Sequence, residues 1–100
     1  MPGFRTEVPH ALGKQEATSR LKGFVERARE RFGDQVSAMD GSWNGSVLTF
    51  SITVMGLAIK GTMTVDDSRA RVEGQLPLAA MPFRGKIEQS IAAEIKQELS

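Results

Sequence analysis

The chain has 100 residues, the length of one domain with a modest core. Thirteen Lys and Arg stand against twelve Asp and Glu, which argues against a nucleic-acid module and leaves little repulsion between copies. There is no cysteine, hence no disulfide framework and no thiolate chemistry, in keeping with a reducing cytoplasm. The stretch Met1–Glu7 lacks the apolar run of a secretory signal. No apolar run approaches the roughly twenty residues a spanning helix needs, so no transmembrane segment is expected.

Phe4, Thr6 and Val8 alternate with Arg5 and Glu7, which predicts a first strand over Gly3 to Val8, stopped by Pro9. His10 to Gly13 connects it to a helix over Lys14 to Phe32. On that helix Ala17, Leu21, Phe24, Val25, Ala28 and Phe32 fall in an arc of about 100°, the stripe of a helix laid on a sheet. Gly23 weakens it by about 1 kcal/mol relative to Ala and leaves room for close packing. Gly33-Asp34 ends it, with Gly33 placed for a left-handed cap.

Gln35 to Asp40 reads as a short second strand with Val36 and Ala38 on one face, closed by a turn signal at Asp40-Gly41-Ser42. Trp43 either opens the next strand or sits on the bend, and Asn44-Gly45 is a second turn or bulge signal. A three-strand meander follows, the strongest pattern in the chain. Leu48, Phe50, Ile52 and Val54 lie on one face, then Leu57, Ile59, Gly61, Met63 and Val65, then Ala70, Val72, Gly74 and Leu76. Turns are expected near Gly56 and at Asp66-Asp67-Ser68. This period of two over three segments predicts a sheet with one buried face. Leu76 to Phe83 is a connector containing Pro77 and Pro82, with Pro82 suited to the first turn of a last helix. That helix runs to Leu99, with Ile87, Ile91, Ile95 and Leu99 spaced by four. The order β-α-β-β-β-β-α predicts an α+β domain. It is a single antiparallel sheet of about five strands with both helices on one face, a small helix-grip-like arrangement.

The residues of common catalytic sites are scarce. There is no Gly-x-Ser-x-Gly elbow, no His or Cys pair at metal-ligand spacing and no phosphate loop. His10, the sole histidine, reads as a solvated loop residue rather than a general base. Asp66-Asp67 reads as a turn former rather than a pair of acid–base carboxylates. Neither enzyme activity, cofactor nor metal is expected. Two surface features remain. Arg20, Arg27 and Arg31 flank the apolar stripe of the first helix, either as a solvated edge or as a contact for an anionic surface. The connector with Leu78, Met81 and Phe83 either folds over the sheet's end as satellite core or forms an exposed apolar binding patch. Trp43, Phe50, Ile52, Ile59 and Ile91 are expected to be structural.

Several motifs resemble the polyhydroxyalkanoic acid system protein family, also called the polyhydroxyalkanoate granule-region family. They are Val8-Pro9-His10, Leu12-Gly13, Trp43-Asn44-Gly45, Met55-Gly56 and Gly61-Thr62. The most specific block is Leu76-Pro77 followed by Ala80-Met81-Pro82-Phe83 and Gly85-Lys86-Ile87-Glu88. The resemblance spans nearly the whole chain. It implies a bacterial accessory role in polyester storage, cytoplasmic or at the granule surface, and carries no established catalytic or binding residues. Expected partners are a polyhydroxyalkanoate granule surface, a granule protein or a second copy. The alternative is a small carrier holding an apolar ligand, such as a hydroxyacyl chain, between sheet and C-terminal helix. A continuous pocket among Phe50, Ile52, Ile59 and Ile91 would favour the carrier; a closed core would favour the accessory protein.

Overall fold

The alternating segments form five strands and the two apolar stripes form two helices. The computed structural model describes residues 3–31, 38–54 and 56–100. Its elements are β1 (Gly3–Pro9), α1 (Lys14–Arg31), β2 (Ala38–Asn44), β3 (Val47–Val54), β4 (Leu57–Val65), β5 (Arg69–Gln75), a 3-10 helix (Leu78–Phe83) and α2 (Arg84–Leu99). The strands make one antiparallel sheet in the order β1-β5-β4-β3-β2. The class is therefore α+β, with the β-α-β-β-β-β-α order expected from the patterning. The expectations for Phe32, Gly33-Asp34, Val36 and Met55, and for the side chains of Ala38 and Val54, fall outside the described residues.

Both helices cover one face. Ala17 and Leu21 of α1 and Ile95 and Leu99 of α2 share a core with Phe4, Val8, Leu48, Met63, Val65, Ala70 and Val72. The meander registers Leu48 opposite Met63 and Met63 opposite Val72, so the inner sides of the three strands coincide. Of the stripe on α2, Ile95 and Leu99 are buried, whereas Ile87 and Ile91 are half-buried. A spacing of four drifts around the helix, and only its C-terminal half stays fully on the sheet.

The second strand differs from its expectation. Asp40-Gly41-Ser42 is no turn; it lies inside β2, where Gly41 opposes Phe50 and Trp43 opposes Leu48. The reversal comes later, at Gly45-Ser46, with Gly45 in the left-handed region at φ 63°. Turn-like composition yields here to pairing with β3 along its full length. Pro9 also belongs to its strand, as the last residue of β1 opposite Arg69. Pro82 lies inside the 3-10 helix and not in the first turn of α2.

One row across the inner face is made of glycine and phenylalanine. Gly41 opposes Phe50, Phe50 opposes Gly61, Gly61 opposes Gly74, and Gly74 opposes Phe4. A Cβ on Gly74 would collide with the Lys60 carbonyl and lie 2.6 Å from Phe4 Cε1 and 2.9 Å from Gly61 Cα. A Cβ on Gly61 would collide with the Glu73 carbonyl and lie 3.0 Å from Phe50 Cζ. The backbones of β4 and β5 approach so closely here that only glycine fits. Gly23 differs. Its nearest neighbour is the Arg27 guanidinium at 3.0 Å, so no second element packs closely there.

Helix α1 is fastened at both ends. At its start Asp67 Oδ1 accepts the Lys14 N–H at 3.2 Å, and the buried Thr18 hydroxyl lies 3.0 Å from Ser46 Oγ in the β2–β3 turn. Towards its end Arg27 pairs with Glu98, and Arg31 Nη2 pairs with Glu94 Oε2 at 3.0 Å, both on α2. Arg20 reaches Glu16 Oε1 at 3.2 Å and the Ser100 carbonyl at 3.2 Å. The arginine flank thus forms an ion-pair latch between the helices.

These contacts set the expected stability of three variants. Gly74→Ala should lower stability by about 3 kcal/mol, at the upper end of overpacking costs, because backbone cannot yield. Gly23→Ala should raise it by about 1 kcal/mol, because a guanidinium can shift and Ala favours the helix. Denaturant titration with constant m-values reads both. The combined Arg27→Ala and Arg31→Ala change should cost about 1 kcal/mol, the scale of exposed ion pairs. That loss should vanish when the titrations are repeated in high salt.

Candidate functional site: an exposed connector at the start of α2

The described residues hold no group of three or more His, Asp or Glu able to bind a metal ion. His10 is half-buried and fully engaged, which corrects the solvated-loop expectation. Leu12 N–H donates to Nδ1 at 3.2 Å, so Nε2 carries the hydrogen it donates to the Asp66 carbonyl at 2.9 Å. The ring ties the end of β1 to the β4–β5 turn. Asp66 lies 3.9 Å from Arg69, and Asp67 caps α1, so the acidic pair is spent on the turn. The outer face carries two ion pairs, Arg5 to Glu7 at 2.7 Å and Arg71 to Glu73 at 2.6 Å. The hydrogen bond from Arg5, with its positive charge, holds the Glu7 carboxyl below the usual range.

Open concavities among the described residues include three. A cleft of about 440 Å³ between the helices is lined by the latch residues Arg27, Arg31, Glu94 and Glu98. A hollow of about 650 Å³ lies beside β1. A broad groove of about 1020 Å³ is lined by polar residues, among them Asp40, Ser42, Lys60 and Gln75, and by the row Gly41, Phe50, Gly61 and Gly74. Of the set Phe50, Ile52, Ile59 and Ile91, only Phe50 lines any of the three. All four are half-buried, and Phe50, Ile59 and Ile91 pack against the core. Trp43 is also half-buried against the core, with Lys22 Nζ 5.6 Å from its ring centroid.

The connector is ordered, and it divides its side chains. Leu78–Phe83 forms a 3-10 helix in which the Ala80 N–H donates to the Pro77 carbonyl at 2.9 Å. Pro77 precedes it and Pro82 lies within it, so its conformational freedom is small. Ala80 is buried, and Met81 packs half-buried on the core. Leu78 and Phe83 instead remain 78% and 58% exposed, the large hydrophobics most open to solvent among the described residues. The middle of this stretch packs as satellite core, and its two ends are exposed.

Directly after Phe83, α2 begins without a side-chain cap and without an acidic residue in its first turn. Arg84 and Lys86 occupy that turn, the positive end of the helix dipole, where cations are mildly unfavourable. Arg84 lies 3.7 Å from Glu88; Lys86 is exposed. Sequence reading missed this pair, although Arg84-Gly85-Lys86 opening a helix is a legible anomaly. The arginines of α1 do not join the connector. Their partners on α2 start at Glu94, roughly 16 Å along the helix from Phe83 at 1.5 Å per residue. Leu78, Phe83, Arg84 and Lys86 are all exposed at the start of α2, whereas the α1 arginines reach towards its other end.

Residues 5–99 match the family described as "Putative polyhydroxyalkanoic acid system protein (PHA_gran_rgn)". Among solved structures the chain is similar to TTHA0849 from Thermus thermophilus, at 10% identity and a TM-score of 0.44, covering 98% of this chain and 92% of that one. It is also similar to Ara h 8.0201, at 10% identity and a TM-score of 0.43, covering 97% of this chain and 96% of that one. No curated protein matches the sequence. No helix among the described residues is long and apolar enough to cross a membrane. Because the match runs over residues 5–99, nearly end to end, the chain belongs to the polyhydroxyalkanoic acid system protein family.

Proposed function

We propose that the protein is a non-enzymatic accessory protein of polyhydroxyalkanoate storage that docks on the granule surface through the connector and the first turn of α2. Its place is the bacterial cytoplasm and the granule boundary. Family membership supports the process. The exposure of Leu78 and Phe83 on a stiff, proline-bracketed segment supports the mode of action. A stiff segment loses little freedom on binding.

The magnitudes suit reversible contact. Burying two large apolar side chains contributes at most about 3–6 kcal/mol. Arg84 and Lys86 add about 1 kcal/mol each beside an anionic surface. These gross terms, about 5–8 kcal/mol before association and ordering costs, keep the contact of one copy weaker than micromolar. The surface reading is preferred to the carrier because Phe50, Ile59 and Ile91 pack against the buried core.

Co-sedimentation of the purified chain with native granules tests this, beside a control protein of similar size. The double change Leu78→Ser and Phe83→Ser should cut the bound fraction about tenfold or more at every salt concentration, with the circular dichroism spectrum unchanged. Lys86→Glu should weaken binding chiefly at low salt. Arg27→Ala should leave binding at the parent level. A folded Leu78→Ser/Phe83→Ser variant that sediments like the parent refutes the docking surface.

A further inference from the structure

The two edges of the sheet are treated differently, and backbone alternation shows how. In an antiparallel ladder, successive residues point their N–H and C=O alternately to one neighbour and to the other. At β1, the His10 N–H donates to the Ser68 carbonyl at 2.9 Å, just beyond the Pro9–Arg69 pair. Phe4, Thr6 and Val8 therefore bond towards β5, while Gly3, Arg5, Glu7 and Pro9 face outward. Helix α2 packs beside this edge and occupies its centre: Glu88 Oε2 accepts the Arg5 N–H at 2.8 Å. Pro9 has no N–H to offer.

At the other edge, the Val65 N–H donates to the Ser46 carbonyl at 3.0 Å, one step beyond the Val47–Thr64 pair. Leu48, Phe50 and Ile52 therefore bond towards β4, and Val47, Thr49, Ser51 and Thr53 bond towards β2. Their partners there are Asn44, Ser42, Asp40 and Ala38. Met39, Gly41 and Trp43 consequently turn their N–H and C=O groups away from the sheet. No backbone hydrogen bond from the described residues reaches these three.

We propose that β2 is a dimerisation edge, on which a second copy of this chain pairs antiparallel about a two-fold axis through Gly41. Exposed edges are commonly blocked by Lys, Pro or a bulge. β2 has none of these between Ala38 and Asn44, and it pairs regularly with β3 throughout. Its one charge, Asp40, is placed so that self-pairing is tolerated. With the axis at Gly41, Asp40 faces Ser42 of the second copy, so no carboxylate directly faces another. Gly41 faces Gly41 and Met39 faces Trp43. All three outward residues thus fall in hydrogen-bonded pairs, giving about six backbone bonds. The contact is isologous and closes at two copies. A net charge of +1 opposes it little. The axis stands perpendicular to the sheet, so the helices of both copies lie on one side of a continuous ten-stranded sheet.

Sedimentation equilibrium over a concentration series tests this on the full chain. The expected parent behaviour is a monomer–dimer equilibrium. Ser42→Asp sets like charges face to face twice and should raise the dimer Kd about tenfold. Combining it with Asp40→Lys sets opposite charges face to face and should restore the parent Kd. Gly41→Pro removes the outward N–H at the axis while sparing the bonds to β3, and should abolish the dimer. Hydrogen exchange at the Met39, Gly41 and Trp43 amides should slow as concentration rises. A chain that stays monomeric throughout overturns the proposal. So does a dimer whose Kd ignores Ser42→Asp, or one that Asp40→Lys fails to restore. Ser42 is exposed, so the charge exchange, read on variants whose circular dichroism matches the parent, decides the matter even if Gly41→Pro does not fold.

Discussion

The close approach of β4 and β5 at Gly61 and Gly74 is the contact on which the rest of the sheet depends. Two glycines face each other where any Cβ would strike backbone, and Phe4 and Phe50 flank them in the same row. Bulk is moved sideways by one strand on either side. The rings then supply the apolar area that the glycines lack, and Phe4 is buried in the same core as both helices. A glycine pair in a strand interior is entropically costly. It persists here because packing of the two rings offsets that cost.

Helix α2 joins the remaining parts. Its C-terminal half completes the core through Ile95 and Leu99 and receives the arginine latch from α1. Its Glu88 caps one outward backbone N–H of β1, that of Arg5. Its first turn, together with Leu78 and Phe83, supplies the proposed docking surface. One element thus carries stability at one end and the candidate surface at the other. This explains why the arginines, which look available on a helical wheel, are already engaged. It also sets a limit on affinity, since two exposed side chains anchor one copy only weakly. Two copies joined at β2 would engage a granule with two such anchors. The gain would come from effective concentration rather than from any new contact.

Much was determined by the sequence alone. Period-two alternation identified β1 and the β3–β4–β5 meander, and the inner faces of Leu48, Met63 and Val72 followed from it, because a residue's face in a strand is fixed by its parity. The helical stripe of α1 and the burial of Leu99 were legible for the same reason, as was the family, from the Leu76–Glu88 block. Tertiary structure decided what local signals left open. Asp40-Gly41-Ser42 has turn composition, yet the continuous ladder with β3 holds it in β2. His10 became a tie between turns because the fold brings the Asp66 carbonyl to its ring, across a sequence separation no local rule spans. The arginines found Glu94 and Glu98, and Leu78 and Phe83 stayed exposed while Met81 turned inward. Parity and periodicity assign a residue to a side of its own element. Which groups meet across elements, and which backbone edge is left without a partner, depends on how the elements pack, and only the assembled sheet and helices fix that.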